Sequence, residues 1–400
     1  MASPRLLAFF TLSPALLIAE LALWPDVSSG ERTVGRFLPE VVARSEAYTA
    51  ARHAWWLFAV VSSLVLLAFM ATPTLSRAFE RLFDRRGLSL AARAACVAAS
   101  VVCILQGLGL TFAFASRYLL DLRFGLTRQE PSAWLRDQLV ARSLTVALLV
   151  AVLTGVVLLG HRFGRRWWLP ACLAGTVLVL ALVALEPICI DPLFNEYTPL
   201  GSRPGAAPFL ALANRAGFDP ERLFVADASR QTRKVNAFIN GLGPTERISF
   251  WDTLLDTANA DEAALVLAHE LGHWKARHVR LGTLLGILGL VVAVTLLAVL
   301  FPQPTPREVP ALLFAVFLMN LTSLPLQSAA SRWMEAQADW MSLELTRHPD
   351  AYIRAEERLA TRNLSDLTPS PFVVWVAYTH PPVGDRIEMG LRFQEATSEK

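Results

Sequence analysis

The feature that most constrains this chain is the repeated absence of charge. Uncharged, mostly apolar runs occupy 54–76, 94–116, 143–160, 167–185, 281–306 and 309–331. Each is near or above the ~18 residues a helix needs to cross a hydrocarbon layer about 30 Å thick. A seventh candidate, Leu6–Trp24, is interrupted by Glu20 and preceded by Arg5. The internal glutamate, and the lack of a small-x-small cleavage pattern after it, favour a retained helix over a removed leader. The expectation is a mainly α, polytopic membrane protein with seven spans. Composition agrees: 54% of residues are hydrophobic and 18% charged, against roughly 45–50% and 25% in ordinary soluble domains. A net charge of +3, with no basic run carrying interleaved aromatics, gives no ground for nucleic-acid binding. Cys96, Cys103, Cys172 and Cys189 sit in or beside apolar segments, and no pair has the spacing of zinc ligands.

The spans divide the chain. Residues 1–186 carry the first five, and residues 187–400 carry a largely soluble block, spans six and seven (about 281–301 and 309–330) and a polar tail. Within the soluble block, RLFVADA, KVNAFIN and ERISFWD read as three short strands, with Asn240–Gly243 supplying hairpin chemistry between the last two. In KVNAFIN, Val235, Ala237 and Ile239 alternate with Asn236, Phe238 and Asn240. A segment of this kind beside a tight turn is expected at a sheet edge, where an extended peptide can add as a strand and Asn236 can hold a peptide amide. Asn259, with Glu262 three residues on, then opens a helix. Nothing after it demands a stop before the sixth span, so one continuous helix is expected.

That helix carries the chemistry. In LVLAHELGHWKARHVRL, His269 and His273 lie four apart with Glu270 between them. Residues i and i+4 share a helix face, so both imidazoles can address one ion while Glu270 reaches a water in its open position. His278 lies five beyond His273, off the ligand face of a continuous helix. A catalytic zinc takes three protein ligands and keeps the fourth position open. SRWMEAQAD places Glu335 and Asp339 four apart just after the last span. Two spans separate His273 from Glu335, so the chain returns to the side it left. Glu335 is therefore the expected third ligand, and Asp339 the acceptor that orients a ligating imidazole. Downstream, His380 and Arg386 land on the same side and suit an oxyanion-donating or substrate-clamping role. Glu20, Gln106, Asn320 and Gln327, polar groups inside apolar runs, are expected to line an internal aqueous space.

These residues resemble the integral-membrane type I CAAX prenyl endopeptidases, zinc proteases that process farnesylated protein C-termini. The likeness extends past HELGH to Asp191–Asn195, Tyr197–Leu200, Asn236–Phe238, Asp261–Glu262, Glu335–Asp339 and Thr379–Pro381 with Arg386, and upstream to Tyr48–Arg52 and Phe124–Gln129. Thr379 stands where the family usually has serine. The resemblance implies seven membrane helices around a hydrated chamber, a small α+β metalloprotease domain at one face, and one zinc per chain. It also implies a peptide or lipidated-protein substrate, and a catalytic site on the cytoplasmic side of the cell membrane. Arginines divide almost evenly between the two sides, so charge does not set the orientation. Two other readings stay open: a membrane quality-control metalloprotease without prenyl dependence, and a non-catalytic zinc-binding membrane scaffold.

Overall fold

The computed structural model describes residues 30–84 and 87–398. The first expected span, Leu6–Trp24 with Glu20, lies outside them. Four apolar spans come first in the described part: α1 (Pro39–Met70), α2 (Leu90–Arg123), α3 (Pro131–Arg166) and α4 (Trp168–Leu193). Polar capping groups mark the ends where they matter. Ser89 accepts from the Ala92 amide at the start of α2, and Pro131 opens α3, where its missing N–H costs nothing.

The soluble block builds a four-stranded mixed sheet from β1 (Tyr197–Pro199), β2 (Leu223–Ala226), β3 (Ala237–Asn240) and β4 (Arg247–Trp251), in the order β1-β2-β4-β3. The three strands read from the sequence are present, and β1 is an addition that its proline and short length concealed. β3 and β4 form the expected antiparallel hairpin, with Asn240 opposite Arg247. Gly241 makes the turn at φ 88°, where an added Cβ would stand 2.3 Å from the Thr245 carbonyl oxygen, so no other residue fits. β3 is an edge, as its composition suggests. One sheet face packs Leu223, Ile248 and Phe250 against Leu267, Ala268 and Leu271 of α5 (Ala260–Lys275), which seats the metal helix on the sheet.

Beyond α5 the chain departs from the expected continuous helix. α5 stops at Lys275, Arg277 takes a left-handed φ of 58°, and α6 (His278–Leu300) starts anew. The break lets α5 lie on the sheet while α6 takes its own course through the membrane. The last span differs in the opposite sense. α7 runs unbroken from Val309 to Thr346, with Pro325 inside it, so the membrane segment and the segment bearing Glu335 and Asp339 are one continuous helix. α8 (Pro349–Asn363) and α9 (Val383–Ser398) pack against α5 and α7.

The six described spans form a closed cycle of neighbours: α1 on α2, α2 on α3, α3 on α4, α4 on α6, α6 on α7, and α7 back on α1. Each buries only 6–28% of its most apolar window, because a helix in a ring packs sideways and leaves its outer and inner faces uncovered. Of the polar residues expected inside, Gln106 takes part in an interhelical hydrogen bond, while Asn320 and Gln327 are exposed and Gln327 donates to Ser323 on its own helix.

Candidate metal centre

The site begins with the start of α5. The Asn259 backbone N–H donates to Glu262 at 3.2 Å, closing a reciprocal cap that fixes where the helix begins. About three and four turns later, His269 and His273 project from one face. α7 crosses close by, because Gly272 offers no side chain: a Cβ there would lie 3.0 Å from the Ala338 carbonyl oxygen. This approach brings Glu335 between the imidazoles. His269 Nε2 is 3.2 Å from Glu335 Oε2, and His273 Nε2 is 3.5 Å from Glu335 Oε1. One ligand atom from each of His269, His273 and Glu335 falls within 4.8 Å of the others.

Hydrogen bonds behind the histidines decide which nitrogen faces inward. His269 Nδ1 lies 2.8 Å from Asp339 Oδ1, and a carboxylate only accepts, so Nδ1 carries the proton and Nε2 presents a lone pair. A second relay serves His273. Gln337 Oε1 accepts from His278 Nε2 at 3.0 Å, which leaves His278 Nδ1 to accept from His273 Nδ1 at 2.9 Å. His273 Nε2 is thereby also a lone pair, 3.0 Å from that of His269. Two lone pairs facing each other repel unless a cation sits between them. Glu335 Oε2, buried and without a well-angled hydrogen bond, adds a third unsatisfied acceptor. The donor set fits a tetrahedral metal such as zinc, with one position left for a non-protein ligand.

His278 and Gln337 were not legible as partners. On a continuous helix His278 points away from His273, and only the left-handed residue at Arg277 swings it back.

Asp339 is held in turn. Arg386 donates from Nε and Nη2 to its two oxygens at 2.8 and 2.5 Å, and Nη1 lies 2.6 Å from Glu356. Arg386 thus directs its fork at two buried carboxylates. Glu356, on α8 and unmarked by any sequence motif, has its carboxyl pushed up to about 7 by burial, with Arg386 opposing the rise and Asp339 adding to it. His380 Nε2 comes within 3.3 Å of Glu335 Oε2, and its side chain is 58% exposed.

The Glu270 carboxylate accepts from the Ile239 backbone N–H on β3 and lies within electrostatic reach of both imidazoles. Burial pushes this carboxyl above its ordinary value, while the two imidazoles pull it down. Asn236, Glu270, His269, His380 and Arg386 border one cavity of about 80 Å³. The Trp251 amide donates to the Asn236 carbonyl at 2.9 Å, so Asn236 turns its backbone inward to β4. Ala237 and Ile239, one residue out of phase, turn theirs outward along the edge.

A ring of membrane helices carrying HExxH and a distant glutamate on converging helices defines an integral-membrane metallopeptidase. Residues 207–390 match the model of peptidase family M48, and residues 31–196 match that of the CAAX prenyl protease N-terminal region, described as five membrane helices. With these two matches the chain belongs to the M48 metalloendopeptidases of the CAAX prenyl protease type. It is 27% identical over 285 residues to a Bacillus subtilis protein described as the uncharacterized metalloprotease YhfN, covering 68% of this chain and 67% of that one. Saccharomyces cerevisiae CAAX prenyl protease 1 is 26% identical over 307 residues, covering 70% and 67%. The crystal structure of S. mikatae Ste24p superposes with a TM-score of 0.78 at 22% identity, over 97% of each chain. Family membership sets aside the non-catalytic scaffold.

Proposed function

We propose that this integral-membrane metalloendopeptidase is zinc-dependent and cleaves peptide bonds near the C-terminus of prenylated, CAAX-type substrates. The observation that carries the zinc assignment is the meeting of two inward-facing Nε2 lone pairs and the buried Glu335 carboxylate. A bound zinc ion supplies Lewis acidity, which makes water acidic enough to attack near neutral pH. His269, His273 and Glu335 hold one ion per chain, and Asp339 and His278 keep the imidazoles aimed. Glu270 accepts the attacking water's proton and delivers it to the leaving amine, and a carboxyl raised by burial suits that exchange. His380, exposed into the cavity beside Glu335, donates to the developing oxyanion. Arg386 acts through Asp339, with its remaining N–H groups bordering the cavity.

The substrate lies along β3. The outward N–H and C=O of Ala237 pair with its backbone, and Asn236 holds a peptide amide. The prenyl requirement rests on the likeness to proteins named CAAX prenyl protease 1. We further assign residues 1–186 to the membrane region and 187–400 to the protease region, with the site on the cytoplasmic side of the cell membrane.

Matched peptides with and without a farnesyl group, each incubated with and without a chelator, test the proposal. Cleavage of the prenylated peptide alone, abolished by chelation, is expected. Equal cleavage of both peptides favours a quality-control protease, and cleavage that survives full metal removal refutes the zinc assignment.

A further inference from the structure

Beside the candidate substrate edge, three membrane helices present arginines that no carboxylate neutralises. Lys234 stands two residues before Asn236. Its ammonium is held by Asp121 Oδ2 at 2.7 Å and the Tyr48 hydroxyl at 2.9 Å, and Tyr48 donates to the other Asp121 oxygen at 2.6 Å. Both Asp121 oxygens are therefore engaged, and its charge is matched by Lys234. Burial already holds Lys234 below its ordinary basicity; Asp121 opposes this, and Arg52 of α1 and Arg117 of α2 add repulsion. Arg52 lies over the Tyr48 ring, 5.6 Å from its centre. Arg117 is exposed, one turn before Asp121, and lies in electrostatic reach of Arg142 on α3.

Arg142 is built into the helix pair. Its Nη1 donates to the Gln106 backbone carbonyl at 3.1 Å and to the Gln106 side-chain oxygen at 2.8 Å. Gly109 leaves the room, since a Cβ there would sit 3.0 Å from Nη1. Arg142 Nε is buried without a hydrogen-bond partner. Asp137, five residues earlier on α3, is turned to Gln129, Gln231 and Arg136. Among the described residues, none of Arg52, Arg117 and Arg142 is within ion-pair distance of an acid.

Guanidinium groups are costly at membrane depth and face interior or aqueous surfaces rather than lipid. A row of like charges on three packed helices repels itself until an anion joins it. The row starts where Arg52 and Arg117 meet Lys234, just ahead of the edge strand, and continues to Arg142 within the spans. A peptide lying on β3 whose end runs into that space carries one invariant anion, its terminal carboxylate.

We propose that Arg52, Arg117 and Arg142 form an anion site inside the helix ring, and that its ligand is the C-terminal carboxylate of the peptide substrate. This rests on the peptidase reading above. It gives the enzyme a contact with the chain end beside the edge strand.

One substrate peptide, prepared as the free acid and as the C-terminal amide, tests the proposal in uncharged detergent. The wild-type protein is expected to prefer the acid by about tenfold in kcat/KM, chiefly through KM, the factor one partly screened ion pair supports. Arg142→Gln and Arg117→Gln each bring that preference to within about twofold, and Arg142→Lys retains most of it. Unchanged zinc content and elution volume certify the fold. Because Arg117 is exposed, its variant keeps the test open if Arg142→Gln does not fold. Equal wild-type rates on acid and amide overturn the site, as does full preference in both glutamine variants. Loss of the wild-type preference on adding phosphatidylglycerol, but not phosphatidylcholine, assigns the site to lipid phosphate and likewise overturns it. Failure to cleave either peptide refutes the peptidase reading instead.

Discussion

Replacing Gly272 by alanine tests whether helix proximity, rather than the ligand residues alone, makes the metal centre. The new Cβ would meet the Ala338 oxygen at 3.0 Å, the Ala338 Cα at 3.1 Å and the Met341 Cβ at 3.3 Å. Comfortable carbon contacts begin near 3.5 Å, so α5 and α7 must separate by about 0.4 Å. Two of the three contacts are backbone atoms of a 38-residue helix, which cannot give way by rotating a side chain. Glu335 lies one turn from Ala338, and His273 adjoins Gly272, so the separation passes straight to the ligands. Zinc sites tolerate only about ±0.2 Å in ligand distance. Stability should change little, because overpacking costs about 1–3 kcal/mol while alanine's better helix propensity returns about 1 kcal/mol. Zinc affinity is expected to fall about tenfold or more while the melting temperature moves by only a few degrees. Competition against a chromophoric chelator, alongside a melting curve, reads both quantities. A Gly272→Ala protein that binds zinc within twofold of wild type would refute the argument that this contact sets the site's dimensions.

Two further outcomes separate the roles of the acids. Glu335→Ala is expected to lose zinc and activity together, whereas Glu270→Gln keeps zinc and loses about 10²–10⁴ in turnover; zinc content and peptide cleavage on each purified variant distinguish them. Glu356 makes stability depend on pH. Its folded carboxyl titrates at about 7, above the ~4.3 of an unfolded glutamate, so the folded state binds the proton more tightly. Its contribution is most favourable below the unfolded value and is lost as pH rises towards 7. Glu356→Gln should flatten the melting temperature between pH 5 and 8 relative to wild type, and an unchanged profile would count against a buried, proton-holding Glu356.

Much of this architecture was legible in the sequence because membranes and helices impose rigid periods. A run of uncharged residues near 20 long has few alternatives to a span, and all six within the described residues take that form. Spacing by four puts His269 with His273, and Glu335 with Asp339, on common faces whatever surrounds them. Asn259 and Glu262 mark the start of α5, and Gly241 marks the hairpin, because each answers a purely local backbone requirement. Parity of the spans placed Glu335 on the histidine side.

What the sequence left open depends on directions between elements. His278 joins the site because Arg277 leaves helical geometry and turns the chain, and spacing counted along an unbroken helix points it away. Arg386 meets Asp339 and Glu356 through the packing of α8 and α9 beside α7, contacts between residues 47 and 30 positions apart. The cationic row on α1, α2 and α3 likewise belongs to no motif, since its members come from separate helices. Local periodicity determines which side chains share a face. Only the packing of faces, set by features as small as the missing Cβ of Gly272, decides which of them meet.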